Sequence, residues 1–217
     1  MTTSLVQRQI EGARAFAEQG WPTRALEAWK TTPVKGLIAF GDGDLGAPST
    51  PMLELAREEL TRLGEPSGPR LVCVGGHFQP SLSALKGLSV APQESDTNLG
   101  AIAAFEDAPL VALSARTLDS ALVIRASEAQ GEPVEVVHLG VPGAGGAHVR
   151  VFLSASTSET LNVVEHFVGL SSDPSWTNAC TEVSVGANAR VCHVQVMRGH
   201  EGVHRTGNLS VEVDRDG

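Results

Sequence analysis

The sequence predicts an α+β chain, with helices gathered in its first part and short strands filling the rest. Three observations predict it. Apolar residues recur at helical spacing before residue 64, whereas from His148 onward nearly every run alternates at period two with turn formers between. The chain carries 23 Gly and 12 Pro against 6 Phe and no Tyr, a composition suited to short strands and frequent corners. Strands so closely spaced leave two architectures open, a sandwich or barrel and a β-helix of stacked coils. Small residues at the turns, with Asn188-Ala189 at a corner, favour stacked coils. The organisation read from this is a helical region over 1–69, a mixed entry over 70–147 and coils over 148–217.

In order, residues 4–19 read as a helix whose apolar stripe is Leu5, Ile10, Ala13 and Ala17, widened by Val6 and Phe16, with Gly20 ending it. Pro22 then opens a turn and short helix in which Glu27 stands three residues after Arg24, within reach of a weak pair. Trp21 and Trp29 read as apolar anchors of a small helical cap. The loop Gly41-Asp42-Gly43-Asp44 resembles a calcium loop only at its start, since Ala47 and Pro48 follow and no Glu closes it; it reads as a solvated turn. Thr50 is the expected N-cap of a second helix with Pro51 at its first position and Leu53, Ala56, Leu60 and Leu63 on its inner face. A strand over 71–74 runs into Gly75-Gly76, which lacks the later glycines and lysine of a phosphate loop. Residues 98–105 read as a short helix. Strands follow over 122–124, 134–139, 149–153, 161–168, 181–185, 190–196 and 208–213.

A net charge of -9 argues against nucleic acid and anionic membrane as partners. Cys73, Cys180 and Cys192 are odd in number and sit in apolar runs, which fits a reducing compartment, the cytoplasm, better than a disulfide framework. No window is apolar enough for a membrane span and no leader pattern opens the chain. Cys180, Cys192, His193, His200 and His204 are the residue types that ligate metals. Cys192 and His193 point to opposite faces of a strand, and Gly199 and Gly202 make the two later histidines a loop, so no metal, cofactor or catalytic residue is assigned. Glu165 and Glu182 are the one conceivable carboxylate pair for glycoside cleavage, and the scarcity of aromatics counts against a sugar groove.

Pro22-Thr23-Arg24, Glu27, Trp29 and Lys30 sit in a stretch, 20–30, that resembles the N-terminal signature of the SufD family of iron–sulfur cluster assembly scaffolds, although Thr31 stands where that family usually has an aromatic. Three later blocks resemble it in the same order: Leu161 to Gly169 around Glu165, Trp176 to Val183 with Asn178 and Glu182, and Asn188 to Gln195 with His193. The resemblance implies an N-terminal helical region followed by part of a right-handed parallel β-helix. It implies a non-catalytic scaffold acting with SufB and the ATPase SufC, with a cluster met only transiently in the full complex. It also implies a truncated β-helix, because members run to about twice this length, and an open last coil that a partner or a second copy (a homodimer) would cap. The alternative from a different class is a free-standing β-helix enzyme or binding module, such as a carbohydrate-active protein.

Overall fold

The computed structural model describes residues 4–93, 96–129, 131–199 and 201–217. Helix α1 (Leu5–Gln19) starts at Ser4, whose hydroxyl accepts from the Gln7 N–H, and stops at Gly20 with φ 67°. A single 3-10 turn (Glu27–Trp29) and a four-residue helix α2 (Lys35–Ile38) lead to α3 (Thr50–Leu63). Thr50 is the first helical residue of α3 and Ser49, in extended conformation, takes the cap position expected for Thr50. The remainder comprises β1 (Arg70–Val74), β2 (His77–Phe78), α4 (Pro109–Ser114), β3 (Leu122–Arg125), α5 (Ala126–Ala129), β4 (Val134–Gly140), β5 (Ala147–Ala155), β6 (Thr160–Gly169), β7 (Ser175–Val185), β8 (Arg190–Arg198) and β9 (Val203–Val213).

From β3 on, the strands are dealt alternately to two sheets, in the orders β2-β1-β4-β6-β8 and β3-β5-β7-β9. Every pairing is parallel except the β1–β2 turn. Parallel neighbours that lie in alternate sheets along the chain make a β-solenoid of about three turns. The coil length shows in residues that stack: Gln195 sits beside Glu165, and Cys180 beside Arg150, 30 residues apart in each case. The stacked-coil architecture is therefore the one adopted.

Why the coils stack in register is visible at their corners. Ser158, Asn188 and Asp216 each take φ near +60°, one per coil, and the Ser158 N–H donates to the Ala187 carbonyl while the Asn188 N–H donates to that of Arg215. Asn and Asp tolerate this left-handed conformation better than bulky residues do. Gly186 fills the same corner because a Cβ there would lie 2.9 Å from the Ser156 carbonyl carbon.

The bore between the sheets is packed by alternate residues of each strand, among them Leu71, Val136, Val151, Leu161, Val163 and Val183. The other alternation faces outward and receives helices. Val72, Val74 and Val137 meet Ala56, Leu53 and Leu60 of α3, as the sequence pattern of that helix leads one to expect. On the second sheet, Trp176 meets Leu37, Leu110 and Leu113, with Trp21 5.6 Å away. Both N-terminal tryptophans anchor the cap to the solenoid wall.

Three local expectations are corrected. In α1 the seated face is Leu5, Gln9, Gly12 and Phe16, so of the expected stripe only Leu5 and Phe16 are seated. Gly12 is the reason: a Cβ there would fall 2.3 Å from the Ala115 Cβ, so this is the face that reaches the chain closely. Val6, Ile10, Ala13 and Ala17 are left exposed. Arg24 and Glu27 are not on successive helical turns, because Leu26 between them is extended (ψ 126°); Glu27 meets Lys30 instead, at 3.7 Å. Residues 98–105 form turns rather than a helix, for a reason that belongs to the site below. At the last coil, the bore-facing Leu209, Val211 and Val213 are 51–53% exposed, whereas Val183 and Val185, their counterparts one coil earlier, are buried.

Candidate functional site: two buried carboxylates

Strand alternation sends Glu165 and Glu182 into different compartments. On β6, Leu161, Val163, Glu165 and Phe167 face the bore; on β7, Thr181 faces the bore and Glu182 faces outward. Both carboxylates are fully buried.

Glu165 lies at the centre of a polar cluster spanning three adjacent strands. The His138 Nε2 is 2.8 Å from one carboxylate oxygen, and the His193 Nε2 and Gln195 Nε2 are 2.9 and 2.8 Å from the other. Thr181 donates across the bore at 3.4 Å. Gln195 in turn accepts from Arg205, whose guanidinium lies 3.9 Å over the Phe167 ring, and His138 stacks on the other side of that region at 4.8 Å from Phe167. Burial alone pushes the Glu165 carboxyl up. The hydrogen bonds from His138, His193 and Gln195 outweigh it and hold the group well below the ordinary carboxylate range. Cys73, also in the bore, is pushed up to about 12 by burial and by the Glu165 charge, so it stays a thiol.

Glu182 does different work. One oxygen accepts the N–H groups of Ile102 and Ala103 at 3.0 and 2.8 Å, and the other that of Gly100 at 2.9 Å. The segment 98–105 is therefore wrapped around a carboxylate, and its N–H groups are not free to make a helix. Arg150, next to it on β5 and buried, places Nη2 3.3 Å from Glu182, while its Nη1 donates to Cys180 and Ser114. Asn178, on the same outward row, donates to the Leu110 carbonyl at 2.8 Å and accepts from Thr206 at 2.9 Å. Glu182, Arg150 and Asn178 thus fasten the stretch from Gly100 to Ser114 to the second sheet.

The other residues singled out in the sequence are scattered. Trp29 packs in the Trp21–Trp176 cluster and Pro22 is buried, whereas Thr23, Arg24, Glu27 and Lys30 are exposed; Asn188 is a coil corner. Cys192 is exposed on the outer face of β8, Cys180 is buried under α4, and His204 lies edge-on to Phe40 at 5.7 Å; His200 is outside the described residues. Among the described residues no three His, Cys, Asp or Glu converge as a metal would require, and no helix is long and apolar enough to cross a membrane. Glu165 and Glu182, one inside the wall and one outside it, cannot flank a common bond. Sequence reading missed His138, Arg150 and Arg205. For Arg150 the signal was a charged residue in the otherwise apolar run Val149–Leu153.

Comparison with known proteins adds a likeness to one family. The model for the SUF system FeS cluster assembly SufBD core domain matches residues 139–217, the coils from the end of β4 onward. A curated relative, iron–sulfur cluster assembly protein SufD of Escherichia coli (strain K12), is 28% identical over 188 residues, covering 82% of this chain and 42% of the relative. The chain spans about two fifths of that relative's length. Together the two matches support a SufD-family assignment.

Proposed function

We propose that this chain, which those two matches liken to SufD, belongs to that family and serves as a scaffold subunit of SUF iron–sulfur cluster assembly, without catalysing a reaction itself. Its partners in this reading are a SufB-like subunit and a SufC-like ATPase, its compartment is the cytoplasm, and the cluster is cargo of the assembly rather than a resident group of this chain. The observation that carries the reading is the likeness to SufD across 82% of the chain, joined by the use to which the buried charges are put. Glu165 holds coil to coil and Glu182 holds the 98–105 segment to the coils, which is what an architectural subunit needs. A carbohydrate-active enzyme needs two acids facing one cleft, and these two face apart.

The reading is tested in the source organism. Deleting the gene is expected to lower the activity of several iron–sulfur enzymes together while cluster-free enzymes are unaffected, with recovery when the gene is restored. Unchanged iron–sulfur enzyme activity under iron limitation and oxidative stress would refute it.

A further inference from the structure

The segment 98–108 is a strap laid over a thiol. Ala103, Phe105 and Ala108 pack on Cys180 together with Val111 of α4, leaving the cysteine 2% exposed. Gly100 and Asp107, with φ 76° and 52°, bend the strap near its two ends. The Gly100, Ile102 and Ala103 N–H groups are held by the Glu182 carboxylate, while Ala101, Ala104, Glu106 and Asp107 are exposed. Gln19 adds one exposed contact, to the Phe105 carbonyl. A segment with little buried apolar surface and few anchors opens ahead of the whole fold.

Beneath the strap the thiol is set against a cation. Arg150, also 2% exposed, donates through Nη1 to the Cys180 sulfur. Its Nε and Nη2 make no hydrogen bond among the described residues, although Nη2 lies 3.3 Å from Glu182. The guanidinium therefore keeps donors for a further oxygen. A cavity of about 380 Å³ adjoins Cys180 and is also lined by Asp107, Asn178, Arg205 and Asn208. With the strap down, burial pushes the thiol up to about 11; Arg150 pulls the other way and Glu182 adds to the rise. Lifting the strap removes the burial and leaves the guanidinium, the surroundings that make a cysteine nucleophilic.

We propose that Cys180 is a gated modification site, oxidised by hydrogen peroxide when the strap lifts off Glu182. The sulfur attacks one peroxide oxygen, an S–O bond forms and the O–O bond breaks. Hydroxide leaves and takes up the thiol proton as water. Sulfur is oxidised to the sulfenic acid, the peroxide is reduced, and Arg150 offers its free donors to the new oxygen.

Cys192, which is exposed, and Cys73, in the bore, are built-in controls. The whole chain is treated with iodoacetamide, or with hydrogen peroxide and dimedone, and each cysteine is followed by peptide mass mapping. Cys180 is expected to react more slowly than Cys192 and well ahead of Cys73, and low urea should speed Cys73 but not Cys180. Glu182→Gln should raise the Cys180 rate by about tenfold or more, leaving Cys192 unchanged and Cys73 unlabelled. The pH midpoint of Cys180 labelling should lie below the ordinary thiol value of 9.0 and move up in Arg150→Gln. Labelling of Cys180 only in step with Cys73 would overturn the proposal, because the thiol would then open with the whole fold. A rate equal to that of Cys192 and unmoved by Glu182→Gln removes the gate, and iodoacetamide labelling without a dimedone adduct removes the peroxide step.

Discussion

Replacing Glu182 by alanine is expected to destabilise the protein by roughly 3–5 kcal/mol, the range for breaking a buried charge pair from one side. Three backbone N–H groups, of Gly100, Ile102 and Ala103, lose their acceptor, and Arg150 keeps a buried charge with no counter-ion. The loss should be local before it is global. Hydrogen exchange at Gly100, Ile102 and Ala103 and proteolysis between 98 and 108 should accelerate first, since Glu182 is the acceptor of those three amides. Glu182→Gln keeps the shape and part of the acceptor capacity and should fall between wild type and alanine. A cost under about 1 kcal/mol, the worth of a single exposed pair, would show that the segment is held by packing of Leu99 and Ala103 alone.

The second large effect is acid sensitivity with two overlapping windows. His148, buried against Trp176 and Asn178, is lowered from 6.5 to about 3 by burial first and by Arg116 second. A group whose folded value is depressed contributes stability that is complete above its unfolded value and is lost as pH falls toward the folded one. For His148 that window opens below pH 6.5 and runs to about 3. It is worth a few kcal/mol, because each tenfold change in proton affinity corresponds to about 1.4 kcal/mol. Glu165 adds a second loss below its ordinary value of 4.5, because its folded value is also depressed. Urea midpoints measured from pH 8 to pH 3 should therefore fall in two stages. Glu165→Gln should make the fall below pH 4.5 shallower, leaving the His148 part, and keep the fall between 6.5 and 4.5 unchanged. A pH-independent midpoint between 7 and 5 would contradict the neutral, buried state of His148.

The solenoid was legible in the sequence because its coils repeat a simple demand: alternate apolar residues, then a corner. Asn188 and the small residues near it mark such a corner, and the structure places them there. The stripe on α1 misled because hydrophobicity does not by itself choose a face. Gly12, which permits the close approach, outranks Ile10, which offers more apolar area. The turn over 98–105 was illegible for a different reason. Its conformation is dictated by a carboxylate about 80 residues later, and no local pattern of Ala and Ile encodes an acceptor so distant. The two glutamates were visible as acids in strands, and period two separated each from its neighbour. Only the assembled coils show that one holds the bore and the other the 98–105 segment.

The most direct test of the scaffold reading is co-purification of this chain with the SufB-like and SufC-like proteins of the same organism, co-expressed under anaerobic conditions and followed by size-exclusion chromatography with mass detection. A complex of defined stoichiometry, weakened by Glu182→Ala as the 98–105 segment loosens, is the predicted result. A chain that folds cooperatively, elutes alone at every concentration and leaves the SufB-like and SufC-like proteins to associate without it would contradict the account.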